Sequence, residues 1–156
     1  MEKEKITIRS YEEKDWNQLI EVHDAARKEE LRWAKCEQAF VSLKEDSIRE
    51  RLFQHEICVA CMEEKIVGFS AYTEDELAWL YVDPAYAKRG VGSILTQYVI
   101  EHASKRPLNV QVLEGNLPAR KLYEAFGFQL VRTACGIMPG KEEVEVVVEC
   151  MQRIFQ

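Results

Sequence analysis

The chain lacks any apolar run that approaches the roughly 20 residues needed to cross a bilayer. It also lacks the apolar segment of a secretory signal at its start, where residues 1–5 are mostly charged. Repeats, low-complexity segments and linkers are absent too. We therefore expect a cytoplasmic protein without a membrane partner, folded as a single domain over residues 1–156.

Positive charge is in deficit, because 21 Lys and Arg stand against 27 Asp and Glu and give a net charge of −6. Nucleic-acid-binding domains usually present a basic surface, so we expect no nucleic-acid partner. An acidic chain is compatible with a cationic substrate, although many acidic proteins bind none. Hydrophobic residues make up 47% and charged residues 31%, which is typical of a globular protein and not of a disordered one.

The full cysteine pattern of a zinc site is also missing. Cys58 and Cys61, two of the five cysteines, have the spacing of half such a site, but no second Cys or His pair completes it. Residues 57–62 are predicted to form a buried strand, in which an odd separation places the two thiols on opposite faces. We expect reduced cysteines, as in proteins without an export signal, and no metal site.

The most informative segment is residues 80–95, which runs from an apolar strand through a turn and a basic, glycine-spaced loop into a helix. A helix N-terminus presents backbone N–H groups without intrahelical partners and the positive end of the helix dipole. Gly90 and Gly92 remove the Cβ atoms that would block a close ligand, and Lys88 and Arg89 add positive charge. The segment predicts a phosphate or pyrophosphate site, with a purely structural turn as the alternative.

Two familiar nucleotide loops do not fit this segment. No Gly-Lys-Ser/Thr follows a glycine at the Walker spacing, and Leu95 stands where a dinucleotide fingerprint has its third glycine. The helix after the loop is predicted from residues that recur at helical spacing and form one apolar face: Val91, Ile94, Leu95, Tyr98, Val99 and His102. Pro107 follows shortly afterwards and stops this helix.

A second motif lies just downstream. Residues 108–113 alternate apolar and polar side chains and are predicted to form a strand. Asn116 then suits a helix N-cap, Pro118 the first turn, and Gly127 the residue just after the helix. The apolar face of this helix would carry Ala119, Leu122, Tyr123 and Phe126. The structural alternative is a short amphipathic helix whose cap and aromatic residues have no functional role.

These two segments resemble the GNAT superfamily of N-acetyltransferases, which transfer an acetyl group from acetyl-CoA to an amine. The family's loop, Gln/Arg-x-x-Gly-x-Gly/Ala, matches residues 87–92, except that Ala87 stands in place of Gln or Arg. Its later motif, Asn-x-x-Ala-x-x-Leu-Tyr-x-x-x-Gly-Phe, matches Asn116, Ala119, Leu122, Tyr123, Gly127 and Phe128. Because both motifs occur in the family's order and spacing, the resemblance implies an acyltransferase with acetyl-CoA as co-substrate and an amine as acceptor.

The remaining elements are predicted from local patterns. A strand at 6–9 leads, through a capping box from Ser10 to Glu13, into an amphipathic helix. Further helix is expected between residues 27 and 55, and strands are expected at 57–62, 66–73, 77–82, 129–135 and 144–151. The order β-α-α-β-β-β-α-β-α-β-β is that of the GNAT fold. The resemblance therefore implies an α/β (α+β) protein with a mixed twisted central sheet of about seven strands and helices on both faces.

The chemistry of acetyl transfer sets what the site must supply. An alkylammonium has a pKa of about 10, so it must lose a proton before or during its attack on the thioester. The oxyanion that forms needs an N–H donor, and the departing thiolate benefits from a proton. The resemblance implies that the backbone of Leu80, Tyr81 and Val82 holds the pantetheine arm and the thioester carbonyl. It also implies that the pyrophosphate is held by the backbone amides of Lys88, Arg89, Gly90, Val91, Gly92 and Ser93.

By the same resemblance, Asn116 bonds the pantetheine or positions Tyr123, and Tyr123 is the general acid for the thiolate. The structural alternative for Tyr123 is a core tyrosine. Family members often place a carboxylate that acts through water at the start of the strand before the loop, and Glu76 is the candidate within the acidic run 74–76. A solvated acidic turn is the alternative. Weaker candidates for the base are His23, His55 and His102.

The acceptor site is expected in the variable region between residues 20 and 55, with the hairpin nearby. Candidate lining residues, each equally suited to the core, are Leu31, Trp33, Phe40, Tyr72 and Trp79. No sequence pattern selects among a polyamine, an aminoglycoside, an amino acid, and a protein N-terminus or lysine.

Two other functions remain open at this point. A CoA-binding regulatory module with little turnover is compatible with Ala87 and with the unassigned base, whereas Asn116 and Tyr123 favour an enzyme. An acyltransferase for a longer acyl chain would differ only in the space beside the thioester. Many GNAT proteins form homodimers, and the valine-rich final strand would then serve as an edge contact.

Overall fold

The computed structural model describes residues 5–138 and 141–155. Seven strands form one sheet: β1 Thr7–Ser10, β2 Glu56–Met62, β3 Lys65–Tyr72, β4 Glu76–Val82, β5 Leu108–Leu113, β6 Gln129–Met138 and β7 Lys141–Arg153. The α-helices are α1 Trp16–Trp33, α2 Leu43–Arg49, α3 Val91–His102 and α4 Leu117–Ala125. This succession confirms the predicted order of elements. Among the residues described, none of the helices combines the length and the apolar character that crossing a membrane requires.

The sheet is mixed and has the spatial order β1-β2-β3-β4-β5-β7-β6, in which β4 and β5 run parallel. Strand β7 lies between β5 and β6, so the prediction that the valine-rich final strand forms a sheet edge is wrong. Strand β6 occupies that edge. The position of β7 depends on non-local contacts, because β7 pairs with both β5 and β6. The alternation of valines within β7 does not show which strands lie beside it.

Helices cover both faces of the sheet. Leu19 of α1 packs with Phe69 of β3 on one face, and Val91 of α3 packs with residues of β2 and β3 on the other. Cys61 belongs to the first of these clusters and Cys58 to the second. The two thiols therefore face opposite sides of the sheet, as the odd separation predicts.

Helix α3 spans the predicted residues, but its buried face is rotated from the predicted one and shares only Val91, Leu95 and Val99 with it. Its buried residues are Val91, Leu95, Thr96, Val99 and Ile100. Ile94 is 37% exposed, and His102 is exposed and stacks on Tyr98 with ring centroids 3.8 Å apart. The helix lies close over Gly68 of β3, where a Cβ atom would approach Val91 Cγ1 to 3.0 Å. Gly68 and Val91 are 23 residues apart in the chain, and their close contact sets the rotation of the helix about its axis.

The entry into α1 also differs from the prediction. Ser10 stays in β1, paired with Cys58, and so does not cap a helix. Glu12 and Asp15 form the capping box instead, around a 3-10 turn that leads into α1. Arg9 donates two hydrogen bonds, of 2.8 and 2.9 Å, to the Asp15 carboxylate, and these bonds lower the pKa of Asp15.

Candidate active site

The carboxyl ends of β4 and β5 separate and leave a gap in the sheet. The two parallel strands pair only at Glu76 with Asn109 and at Leu77 with Val110 within the described residues. Strand β4 continues to Val82, while β5 continues along β7. Over residues 78–82, the side of β4 that faces β5 is therefore open, and its backbone N–H and C=O groups can bond a ligand.

The loop after β4 presents the N-terminus of α3. The Asp83 carboxylate accepts a hydrogen bond from the Ala85 N–H at 3.0 Å and holds a 3-10 turn over Pro84–Tyr86. Gly90 then takes the N-cap position of α3 with a φ of 87°, a conformation that favours glycine, and within the described part of the chain no side chain caps the helix there. The N–H groups of the first turn are therefore free to bind an anion.

A cavity of about 340 Å³ lies between this loop, the open end of β4 and α4, and we call it the loop-side cleft. Of the residues predicted to hold the cofactor, those that line the cleft are Leu80, Tyr81, Val82, Lys88, Gly90, Val91, Gly92, Ser93 and Asn116. Ala87 lines it too, whereas the Arg89 guanidinium lies 5.1 Å from the centre of the Tyr86 ring. The fold thus brings both sequence motifs to one cleft.

Asn116 connects α4 to α1. Its side-chain oxygen accepts a hydrogen bond from the Ala119 N–H at 3.2 Å, which confirms the predicted N-cap. Its amide nitrogen donates to Glu30 Oε2 at 3.0 Å. The preceding Gly115 has a φ of 103°, and a Cβ there would lie 2.8 Å from the carbonyl oxygen of Trp33. This glycine lets the loop before α4 approach the end of α1.

Tyr123 lies in the core next to the cleft. It is 5% exposed and belongs to the cluster against which the lining residues Leu80 and Leu122 pack. Its ring lies 5.5 Å from that of Phe128, centre to centre. Burial raises the pKa of Tyr123 well above its usual range, and the Glu30 carboxylate adds to the effect. The phenol therefore stays protonated at neutral pH.

A second cavity, of about 400 Å³, is lined by four carboxylate residues, and we call it the acidic cavity. The four are Glu30, Asp46, Glu50 and Glu76. Arg27 of α1 is also part of the lining, as are His55 and Trp79, whose rings stack with centroids 5.8 Å apart. The cavity therefore carries an excess of negative charge beside an aromatic wall.

The residues predicted to line an acceptor site do not lie together in the structure. Trp79 lines the acidic cavity, and Trp33 lines the loop-side cleft. Leu31 and Tyr72 are buried in the core, and Phe40 packs against the cluster that contains Leu31. Strands β6 and β7 also contribute to the acidic cavity, and no local pattern in their sequences indicated this.

The three acidic residues 74–76, which lead into β4, also lie in different environments. Glu76 lines the acidic cavity. Glu74 instead pairs with Lys105 at 2.9 Å, and the Asp75 carboxylate accepts a hydrogen bond from Thr73 Oγ1 at 3.2 Å. Of these three acids, Glu76 is the one that the cavity brings near the other carboxylates.

Two of the cavity's carboxyl groups are shifted toward their protonated form. Burial raises the pKa of Glu76, and His55 opposes this effect. Burial also raises the pKa of Asp46 to about 6, against the opposing charge of Arg27. A carboxylate with a raised pKa is a better proton acceptor, so both groups are suited to general base chemistry.

The three histidines occupy different environments. His23 is buried, with its Nδ1 2.9 Å from Asp24 Oδ1, and burial lowers its pKa. His55 lies in the acidic cavity, and His102 is exposed at the end of α3. Over residues 5–138 and 141–155, no group of three or more His, Cys, Asp or Glu side chains is arranged to hold a metal ion.

Glu30, which sequence reasoning missed, lies where the two cavities meet, because it lines both of them together with Tyr81. Its Oε1 accepts hydrogen bonds from Arg27 at 2.5 Å and from the Tyr81 hydroxyl at 3.3 Å. Its Oε2 accepts the bond from Asn116. In the sequence Glu30 is one of several charged residues near the end of α1, a pattern typical of a solvated helix face.

The amino-acid sequence also identifies the family to which this protein belongs. Residues 12–128 match the acetyltransferase (GNAT) family, and this range contains the open strand β4, the loop, α3, β5 and α4. The chain belongs to the GNAT family of acetyltransferases. The predicted family and fold class are thereby confirmed.

Particular relatives come from Escherichia coli. The chain is 28% identical over 130 residues to the uncharacterized N-acetyltransferase YafP, covering 81% of this chain and 83% of that protein. It is 37% identical over 71 residues to the peptidyl-lysine N-acetyltransferase YiaC, covering 45% of this chain and 47% of that protein.

Solved structures share the fold at low identity. A GCN5-related N-acetyltransferase from Rhodopseudomonas palustris superposes with a TM-score of 0.79 at 19% identity, over 99% of both chains. YncA from Salmonella typhimurium, solved with its cofactor acetyl-CoA, gives a TM-score of 0.70 at 16% identity, over 97% of this chain and 94% of that one. These likenesses concern the fold, including the predicted central sheet of seven strands.

Proposed function

We propose that this protein transfers the acetyl group of acetyl-CoA to a primary amine, with both substrates bound at the same time. The observation that carries the proposal is the meeting of two cavities at Glu30 and Tyr81. The loop-side cleft suits a CoA thioester, and the acidic cavity suits a cationic amine. Direct transfer requires such adjacent sites, because the bound amine must reach the thioester carbonyl.

Three features of the loop-side cleft fit CoA. The N-terminus of α3 has no side-chain cap and offers backbone N–H groups to the pyrophosphate. A Cβ at Gly92 would lie 3.3 Å from Leu122 Cδ2, so glycine lets the first turn of α3 lie close to α4. The open side of β4 offers its backbone to the amide groups of the pantetheine arm. Acetyl-CoA supplies the acyl group as a thioester, whose thiolate is a good leaving group.

Tyr123 is the proposed proton donor for that thiolate. Its phenol is protonated at neutral pH and lies among residues that pack against the cleft lining. Asn116 fixes the start of α4, the helix that carries Tyr123, through its hydrogen bond to Ala119. The backbone of Leu80 to Val82 is the proposed donor set for the thioester carbonyl.

Glu76 is the proposed general base. It lines the acidic cavity, and burial raises its pKa, so it can take a proton from the ammonium through water. In the overall exchange, the amine nitrogen forms a bond to the carbonyl carbon, the carbon–sulfur bond breaks, and CoA leaves as a thiol. The ammonium gives up two protons in all: one goes to Glu76 through water, and the second leaves the nitrogen of the tetrahedral intermediate and restores the phenol of Tyr123, whose own proton goes to the departing thiolate.

The first experiment measures thermal unfolding with acetyl-CoA, CoA and ATP at matched concentrations. A ligand that binds only the folded state stabilises it by roughly 2.7 kcal/mol at a hundredfold excess over Kd. We expect acetyl-CoA and CoA to raise Tm clearly and ATP to have little effect. If neither CoA compound raises Tm, the loop-side cleft is not a CoA site and the proposal fails.

The second experiment distinguishes an enzyme from a CoA-binding regulatory module. CoA thiol release is followed with a panel of amines, which includes a lysine peptide because YiaC is named a peptidyl-lysine N-acetyltransferase. Amine-dependent thiol release supports the transferase. CoA binding without release on any amine would favour the module, and faster release from a longer acyl-CoA would favour the alternative acyl donor.

A further inference from the structure

We propose that Glu30 binds the nitrogen of the acceptor amine where the acidic cavity meets the loop-side cleft, and that it selects acceptors carrying a positive charge. This inference rests on the proposed function and assigns a recognition role within the same site. It concerns a residue outside both sequence motifs.

The position of Glu30 is the first argument. Only Glu30 and Tyr81 are common to the linings of the two cavities among the residues described. These two residues form the wall common to both cavities, so an amine that reaches from the acidic cavity toward a thioester in the loop-side cleft comes against them. Of the two junction residues, Glu30 is the one with a carboxylate.

The second argument is the number of hydrogen-bond positions. An ionised carboxylate offers about four acceptor positions. Over residues 5–138 and 141–155, three are occupied, by Arg27 and Tyr81 at Oε1 and by Asn116 at Oε2. The Glu30 side chain is 16% exposed, so the carboxylate is largely fixed but still reaches the cavities. The remaining position, on Oε2, is available to an N–H of an ammonium group.

Charge is the third argument. Arg27 pairs with Glu30, but its charge also acts on Asp46, so one cation is shared between two carboxylates. Glu50 and Glu76 add further negative charge to the same cavity. An ammonium at the junction therefore meets a net negative environment in spite of Arg27.

The fourth argument is preorganisation. The Asn116 amide is fixed at both ends, because its oxygen accepts from the Ala119 N–H while its nitrogen donates to Glu30. Glu30 is in turn held by Arg27 from the same helix, one turn away. A carboxylate in such a fixed network needs little reorganisation when it binds a cation.

The test uses two CoA derivatives that differ only in charge at the junction. S-(2-aminoethyl)-CoA carries an ammonium near the sulfur, and S-propyl-CoA carries a methyl group in its place. The Kd of each is measured by calorimetry with wild type, Glu30→Gln and Glu21→Gln. Glu21 is an exposed residue of the same helix, so its substitution makes the same charge change away from the cavities.

We expect wild type and Glu21→Gln to bind the aminoethyl compound about tenfold more tightly than the propyl compound, since hydrogen bonds to charged groups are of this strength. Glu30→Gln should lose this preference. Each preference is a ratio measured on one protein, so a loss of stability does not imitate the result. Glu30→Asp keeps the charge but shortens the side chain, so it should retain part of the preference for the aminoethyl compound. It serves as the test if Glu30→Gln does not fold.

Two results would overturn the role of Glu30 alone. One is that wild type binds CoA but shows no preference between the two derivatives, and the other is that Glu30→Gln keeps the full preference. If unmodified CoA and both derivatives fail to bind wild type, the proposed function fails and this inference fails with it.

Discussion

Single residues carry the chemistry of the proposed reaction, and Tyr123 is the most direct to test. Tyr123→Phe should lower kcat by about 10²-fold or more, because general acid catalysis contributes roughly 10²–10⁴-fold. Its affinity for acetyl-CoA should stay near that of wild type, because the backbone of the loop is unchanged. The measurement combines thiol release at saturating amine with calorimetry of acetyl-CoA binding.

A matched control removes a hydroxyl group elsewhere. Tyr11 lies on the opposite face of the sheet, beside Phe53, and Tyr11→Phe should keep the wild-type kcat. An unchanged kcat in Tyr123→Phe would remove Tyr123 from the mechanism and leave it as a core residue.

Glu76 gives a prediction in the pH dependence of the rate. A general base acts in its deprotonated form, and burial raises the pKa of Glu76, so the wild-type rate should fall as the pH is lowered toward that raised value. Glu76→Gln should lower kcat by about 10²-fold and should lose this acidic limb of the pH–rate profile. Glu74→Gln, at the surface pair with Lys105, is the control with the same charge change. A parental profile in Glu76→Gln would show that another group takes the proton.

Local signals predicted the local structure around the candidate site. The start of α3 at Gly90 and the N-cap at Asn116 depend on neighbours within a few residues and agree with the structure, whereas the binding roles of Gly90, Gly92 and Asn116 stay predictions. Glu30 could not be predicted in this way. Its partners Tyr81 and Asn116 are 51 and 86 residues away, and their approach exists only in the folded chain.

At the scale of elements, the site depends on how closely the loop before α4 approaches the end of α1. Gly115→Ala should lower the free energy of unfolding by about 2 kcal/mol or more, because alanine is strained at positive φ and its Cβ would lie 2.8 Å from the Trp33 carbonyl oxygen. The substitution should also separate Asn116 from Glu30. Urea unfolding measures the first effect, and the aminoethyl-CoA preference measures the second.

Gly136→Ala is the control for this substitution. A Cβ at Gly136 would meet no heavy atom of the described residues within 4 Å, so the stability of Gly136→Ala should stay close to that of wild type. Equal stability of the two variants would mean that the loop moves away from α1 without loss, and the packing argument for Gly115 would then be wrong.

The elements themselves follow from local periodicity, but their placement does not. The alternation in residues 108–113 predicted β5 with its observed bounds. The predicted buried face of α3 was partly wrong, because the packing of α3 over β3 exposes Ile94 and His102 and buries Thr96 and Ile100 instead. The place of β7 inside the sheet likewise depends on pairing with β5 and β6, which no pattern within β7 reports.

At the scale of the whole molecule, we expect the buried Asp46 carboxylate of the acidic cavity to lower the free energy of unfolding at neutral pH. The pKa of Asp46 is about 6 in the folded protein and 3.8 in its ordinary state, mainly because burial disfavours the charge. A carboxyl group whose pKa is raised by folding stabilises the fold while it is protonated. This contribution is fully present below pH 3.8 and is lost as the pH rises through about 6.

Asp46→Asn should therefore stabilise the protein at neutral pH and leave it nearly unchanged below pH 3.8. The gain should be about 1 kcal/mol, less than the pKa shift alone implies, because the carboxyl group is only partly buried and water screens it. Urea unfolding across this pH range measures it, with the exposed Asp75→Asn as control. An equal gain in both variants, or none in Asp46→Asn, would contradict the linkage.

Asp46→Asn should also bind S-(2-aminoethyl)-CoA more weakly than wild type does, because the charge that lowers stability is one that attracts the amine.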